Sequence, residues 1–318
     1  MTRPVSGGLA LLALAVPPLL AQRAPVFEVG LDLVNVTVTV RDVRGGLVSD
    51  LAAEDFVVRE DGRPQTVQVF APAVSPEERK ELALNLGMLF DTSESMRKDL
   101  RLSQESAIRF LENIPRARDL LLIFFDRDIR ISRYSSENQQ GIFGRILETK
   151  GAGFTALHDA IAVYISRVAG TPGRKVLVLF SDGDDTTSQV PPQEVQRLVR
   201  STDVTIYPVA FQGEQRRNSS EALRARSFLY SLAELSGGRV FQPTASRELA
   251  AIYQSILDEL GTQYVLGYVS DNPRRDGKYR RITVELKRPE LKVRHRPGYD
   301  APKDEPPPAP RKKQRQPS

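Results

Sequence analysis

The chain has 318 residues, of which 40% are hydrophobic and 27% charged, with a net charge of +5. That balance suits a soluble globular protein of about two domains. It contains no cysteine and only two histidines, which excludes disulfides, thiolate zinc sites, a cysteine-anchored lipoprotein and any histidine-rich metal centre.

The N-terminus carries Arg3, a short apolar run "GGLALLALAVPPLLA" and a small residue, Ala21, before Gln22. This is the pattern of a cleaved secretory signal over residues 1–21. The run is short for a bilayer, which needs about 20 residues, and Pro17-Pro18 would interrupt a helix. An uncleaved N-terminal anchor is the alternative. The expected location is secreted or periplasmic, with no stable membrane span after cleavage.

Residues 26–72 read as a short all-β piece. "LDLVNVTVTVRDVRG" alternates apolar and polar residues and sets Val34, Val36, Val38 and Val40 on one face. "DFVVREDGRPQTVQVFAP" reads as a hairpin turning at "EDGRP". A polar linker follows over residues 73–81.

From Leu82 to Gly261 the pattern changes. The runs "ALNLGMLFD", "LLLIFFD", "KVLVLFSD" and "VTIYPVAF" are almost continuously apolar, as strands covered on both faces are. They alternate with helical periods: "KDLRLSQESAIRFLENIP", "TALHDAIAVYISRVAG", "PQEVQRLVRST", "EALRARSFLYSLAELSGG" and "SRELAAIYQSILDELGT". The expected fold class is α/β, a Rossmann-like, doubly wound, mostly parallel sheet. "LSGG" reads as a helix stop, and "RVF" after it as a short edge strand.

Residues 262–301 are again β-rich, with turns at "DNPRRDGK" and "KRPE". Neither β piece is large enough to close a core alone. Together they make a small sandwich in which the α/β domain is inserted, because domain termini tend to lie close together. Residues 302–318 carry five basic residues against two acidic ones in a proline-rich setting, and read as a disordered extension.

In an open α/β sheet, ligands sit outside the carboxyl ends of the strands. Asp91 ends the first strand, and Ser93 and Ser95 follow in the loop. Thr155 lies in the glycine-rich "GAGFTALHDA", and Asp182 follows "KVLVLFS". Two carboxylates and three hydroxyls suit a hard divalent cation, Mg2+, with Ca2+ or Mn2+ as further choices. With only two acids, such a cation keeps the capacity to accept a carboxylate from a partner protein. Taken singly, Asp91, Ser93, Ser95 and Thr155 read equally as helix N-caps, and Asp182 as a turn residue. Asp184 and Asp185 read as turn or capping residues, Asp126 and Asp128 as a hairpin turn, and His158 as a packed helix residue. A Ser93–His158–Asp182 triad is conceivable, but no G-x-S-x-G elbow, Walker loop or dinucleotide fingerprint occurs. The basic residues of the last β segment read as a solvated face, not a nucleic-acid site.

"DTSES", the threonine of "GAGFTALHDA" and the aspartate of "LFSDGDD" resemble, in order and context, the metal-ion-dependent adhesion site of von Willebrand factor type A domains. The resemblance spans about residues 82–261. "VNVTVTVRD", "DFVVREDGRPQ" and "RHRPGY" are similar to a bacterial family of secreted von Willebrand factor A-related proteins known from Acidobacteria. The resemblance implies a Rossmann-like fold, a magnesium-type site at Asp91, Ser93, Ser95, Thr155 and Asp182, and protein binding, and it names no ligand; the ligand chemistry itself favours metal-bridged binding over hydrolysis, so no enzyme is expected. That family usually has glycine between the two serines where this chain has Glu94, which adds negative charge near the rim. The competing readings are a magnesium-dependent α/β hydrolase, which needs a general base beside the metal, and a structural module with a vestigial site.

Overall fold

The computed structural model describes residues 33–73, 84–113, 119–135, 141–211, 219–243 and 245–304. The signal-like segment, most of the linker and residues 305–318 lie outside the described residues.

The central sheet has five strands: β5 (Leu84–Asp91), β6 (Asp119–Phe125), β7 (Ile129–Ser135), β8 (Arg174–Ser181) and β9 (Thr205–Ala210). Their spatial order is β7-β6-β5-β8-β9. β6, β5, β8 and β9 run parallel, while β7 returns antiparallel along β6 at the edge. The four parallel strands are the four apolar runs of the sequence. β7 was not expected: its "IRISRYS" is only partly buried, so its apolar signal is weak. Asp126 and Asp128 sit in the turn between β6 and β7, as the hairpin reading requires.

Both faces of the sheet are covered. Leu86, Met88 and Phe90 of β5 pack with α1 (Leu100–Asn113), α2 (Ile142–Leu147) and α6 (Ser246–Thr262). Leu89, on the opposite face, packs with α3 (Leu157–Val168), α4 (Pro192–Arg200) and α5 (Ser220–Ser236). Each fully buried aliphatic side chain of this kind contributes about 1.5–3 kcal/mol. The rings of Phe90 and Phe180 stack across β5 and β8 with centroids 4.6 Å apart. Gly87 faces α3 at a close approach: a Cβ there would lie 2.1 Å from Cε2 of Tyr164. α2, a six-residue helix, was too short to announce itself in the sequence.

α5 begins at Ser219, whose side chain accepts from the Ala222 N–H, and ends on Gly237 at φ 76°. The helix stop is therefore where "LSGG" places it. The expected edge strand after it is not formed. Phe241 makes a single bridge to Val209, because "RVF" is followed at once by Gln242 and Pro243. Arg174 closes α6, donating to the carbonyls of Leu260 at 2.8 Å and Gln263 at 2.9 Å.

The terminal segments supply two four-stranded antiparallel sheets. One has the order β12 (Lys292–Arg294), β1 (Leu33–Arg41), β10 (Tyr264–Val269), β4 (Val69–Ala71). The other runs β13 (Gly298–Asp300), β11 (Tyr279–Leu286), β2 (Phe56–Glu60), β3 (Arg63–Gln65). Val34, Val36, Val38 and Val40 pack with Phe56, Val58, Leu266, Tyr268, Ile282 and Val284 in one core between the sheets. The α/β domain is inserted between the N- and C-terminal strands of this sandwich. The "EDGRP" hairpin forms only as far as β3. After Gln65 the chain crosses to the other sheet, where β4 pairs with β10. The first residues of the supposed tail are attached: Lys303 bridges to Asp276, and Asp304 lies 2.7 Å from Arg275. Residues 302–304 are therefore part of the folded unit.

Candidate metal centre

The sheet order reverses between β5 and β8, the neighbouring strands from which the chain winds outward in opposite directions. Such a switch point opens a crevice at the carboxyl ends of the strands. Asp91 ends β5 at this point, and Asp182 directly follows β8.

Asp91 is fully buried, and each carboxylate oxygen has a donor. Oδ1 accepts from the Ser93 amide at 3.0 Å and the Ser93 hydroxyl at 2.5 Å. Oδ2 accepts from the Ser181 hydroxyl at 2.7 Å. Among the described residues these partners are hydroxyl and amide groups, not a cationic side chain. Burial, and then the charge of Asp182, push the Asp91 carboxyl up to about 7, against the pull of the Ser93 and Ser181 hydrogen bonds. Ser93 and Ser95 place their hydroxyl oxygens 2.9 Å apart. Ser181 is a participant the sequence reading missed. A single serine ending a strand carries no spacing signature.

The loops are stitched to one another by backbone bonds. Ala152 N–H donates to the Thr92 carbonyl at 2.9 Å, and Glu94 N–H to the Gly153 carbonyl at 3.2 Å. Thr155 is buried and ties the third loop: its N–H donates to the Thr186 hydroxyl at 2.9 Å, and its carbonyl accepts from the Thr186 and Thr187 amides. Asp91, Ser93 and Ser95 thus share direct contacts, Asp182 is close enough to act on Asp91 electrostatically, and Thr155 joins through the loop backbones.

The capping alternatives fare poorly at these positions. Ser93 precedes a 3-10 turn, Glu94–Met96, without a side-chain cap bond. The first turn of α3 is capped not by Thr155 but by Asp185, which accepts from His158 N–H at 2.9 Å, and by Ser188, which accepts from Asp159 N–H at 3.1 Å. Asp185 is therefore the capping residue expected of it. Glu94 is exposed and held by Arg97 at 2.8 Å, so its charge is partly offset. Asp126 is committed to Arg130 at 2.6 Å. Burial opposes its ionisation, but the Arg130 contacts bring it below the usual carboxylate range.

The hydrolytic triad is not assembled. Ser93 gives its hydroxyl to Asp91, while His158 packs edge-on against Phe228 with its Nδ1 3.6 Å from Asp185. Burial holds His158 below the usual histidine range, despite Asp185. Among the described residues, no group of three or more histidine, aspartate or glutamate side chains gathers to hold a metal. The candidate site has two carboxylates and three hydroxyls, an oxygen set fit for a hard cation. The adjacent acids Asp91 and Asp182 are the feature that such a cation would neutralise.

Among the described residues no helix is long and apolar enough to cross a membrane. Similar folds occur in a von Willebrand factor type A protein from Catenulispora acidiphila (12% identity, 87% of this chain and 76% of that one, TM-score 0.46). BatB from Bacteroides thetaiotaomicron matches at 11% identity over 56% of this chain and 98% of that one, TM-score 0.45. The pilus adhesin SpaC from Lactobacillus rhamnosus GG matches at 8% identity over 78% and 48%, TM-score 0.46. No curated protein gives a significant sequence match. The von Willebrand factor type A domain pattern matches residues 85–255, more than half of the chain. The chain belongs to the von Willebrand factor type A domain family.

Proposed function

We propose that this protein is a secreted or periplasmic binding module that coordinates an acidic residue of a partner protein through a divalent cation, Mg2+ by preference and otherwise Ca2+ or Mn2+. Domains of this family generally mediate protein–protein interaction. Ser93, Ser95 and Thr155 would supply hydroxyl ligands, and Asp91 and Asp182 would act directly or through water. When bound, the cation neutralises the two acids and retains affinity for a carboxylate from outside.

The observation that carries this reading is Asp91: a buried carboxylate at the sheet's switch point, beside a second acid, with its oxygens oriented by Ser93 and Ser181. Against catalysis, Ser93 gives its hydroxyl to Asp91, and His158 packs against Phe228 beside Asp185. Export rests on the signal-like segment, and N-terminal sequencing of the exported protein is expected to begin at Gln22.

The test is a pull-down from the envelope fraction of the native organism, with Mg2+ or with chelator. Capture of a partner is expected with Mg2+, and loss of that capture with chelator or in Asp182→Ala. Capture indifferent to both contradicts the reading. Metal-dependent hydrolysis of phosphate or peptide substrates, abolished in Asp91→Ala, would replace it with the hydrolase.

A further inference from the structure

Away from the strand ends, Glu259 of α6 is the meeting point of three arginines from both parts of the molecule. Arg41 of β1 places Nη2 3.2 Å from Glu259 Oε2. Arg239, in the stretch after α5, places Nε 3.2 Å from the same oxygen. Arg294 of β12 contacts Oε1. Tyr207 of β9 also donates its hydroxyl to Oε1 at 2.7 Å, and is itself held by Gln263 at 2.8 Å.

The charges do not balance. Guanidinium groups stay protonated, so three cations share one carboxylate. Among the described residues the other acceptors are neutral: the Gly45 carbonyl for Arg41, the Ser255 hydroxyl for Arg239 and the Thr39 hydroxyl for Arg294. Burial, together with the Arg41 and Arg294 charges, holds Arg239 below the usual guanidinium range against the pull of Glu259. Two buried nitrogens, Arg294 Nη1 and Arg239 Nε (the latter within ion-pair distance of Glu259), have no hydrogen-bond partner among the described residues. Glu259 therefore satisfies only part of the donor set that surrounds it. Its side chain is 0% exposed, whereas those of Arg41, Arg239 and Arg294 remain 29%, 34% and 28% exposed. The carboxylate is sealed within, while the three arginine side chains around it stay partly exposed.

We propose that Arg41, Arg239 and Arg294 form a binding site for a free inorganic oxyanion, phosphate or sulfate, at the seam between the α/β domain and the sandwich. Guanidinium forks match the oxygen spacing of such anions and bind them through paired, charge-assisted hydrogen bonds. Arg41 and Arg294 belong to the sandwich, while Arg239 and Glu259 belong to the α/β domain. An anion held by all three arginines therefore ties the two parts together and stabilises the fold by mass action.

Inorganic phosphate is titrated into the full chain by calorimetry and by thermal melting, with chelator present and sodium chloride matched for ionic strength. Saturable one-site binding is expected, with Tm rising beyond the chloride control and sulfate behaving alike. Arg41→Gln and Arg294→Gln each leave Glu259 two cations and are expected to weaken binding at least tenfold. Arg41→Lys keeps the charge without the fork and is expected to weaken it several-fold. Asp91→Ala is expected to leave it unchanged, separating this site from the cation site. Phosphate acting no differently from chloride, or equally on wild type and on both glutamine variants, overturns the proposal.

Discussion

The Ser181 hydroxyl donates to Asp91 Oδ2 at 2.7 Å, joining the ends of two neighbouring parallel strands. It fixes the outer face of the carboxylate, while Ser93 fixes the other oxygen. Hydrogen bonds to charged groups contribute about 1.5–3 kcal/mol. Ser181→Ala is therefore expected to weaken Mg2+ binding by roughly tenfold, the equivalent of about 1.4 kcal/mol. Calorimetric titration checks this, and unchanged affinity would show that Ser181 has no part in orienting Asp91.

Asp91 also makes stability depend on pH. Its carboxyl lies near 7 in the fold against an ordinary 3.8. Below 3.8 both states are protonated and the group is neutral to stability. Between 3.8 and about 7 the folded state keeps a proton that the unfolded chain has released, so stability falls as pH rises. Above that window the loss is constant, on the order of 4 kcal/mol. In chelator, Asp91→Asn is expected to flatten this decline, and in wild type Mg2+ is expected to reverse it at pH 8. Denaturant melts across pH 4–8 measure both. Parallel pH profiles for wild type and variant would refute the assignment.

Glu94 is exposed and paired with Arg97. Exposed pairs contribute about 0–1 kcal/mol, so Glu94→Gln is expected to change stability by less than about 1 kcal/mol. It is expected to alter Mg2+ affinity by no more than about threefold, through screened charge alone. A tenfold loss of affinity would make Glu94 a ligand.

Gly87 lies under the ring of Tyr164, which is fully buried and donates its hydroxyl to the Val176 carbonyl at 3.0 Å. Gly87→Ala puts a methyl where the ring stands and is expected to cost about 1–3 kcal/mol. A urea titration reads this as a lower midpoint. An unchanged midpoint would mean that the ring can move aside despite its hydrogen bond.

The parallel core was legible because β5, β6, β8 and β9 are covered on both faces and need unbroken apolar runs. β7 was hidden because an edge strand tolerates Arg130 and Arg133, and "RVF" misled because three β-prone residues were not followed by a chain that continues along the sheet. The crossing from β3 to β4 depends on which sheet has a free edge, a tertiary fact with no local mark. At the candidate site, the spacing of Asp91, Ser93 and Ser95 and the strand ends were readable. Ser181 was not, since its role follows from the pairing of β5 with β8. Asp185 was readable as a capping residue, but the share of Ser188 in capping α3, which leaves Thr155 outside the helix cap, was not. The arginine cluster on Glu259 joins residues more than two hundred positions apart, and no sequence pattern reports it.

The most direct measurement is a calorimetric titration of the full chain with Mg2+ at neutral pH, comparing wild type with Asp182→Ala and Thr155→Val. One bound cation is expected for wild type, with binding lost in Asp182→Ala and weakened in Thr155→Val. No binding by wild type, or equal binding by all three proteins, would contradict a cation site built from Asp91, Ser93, Ser95, Thr155 and Asp182.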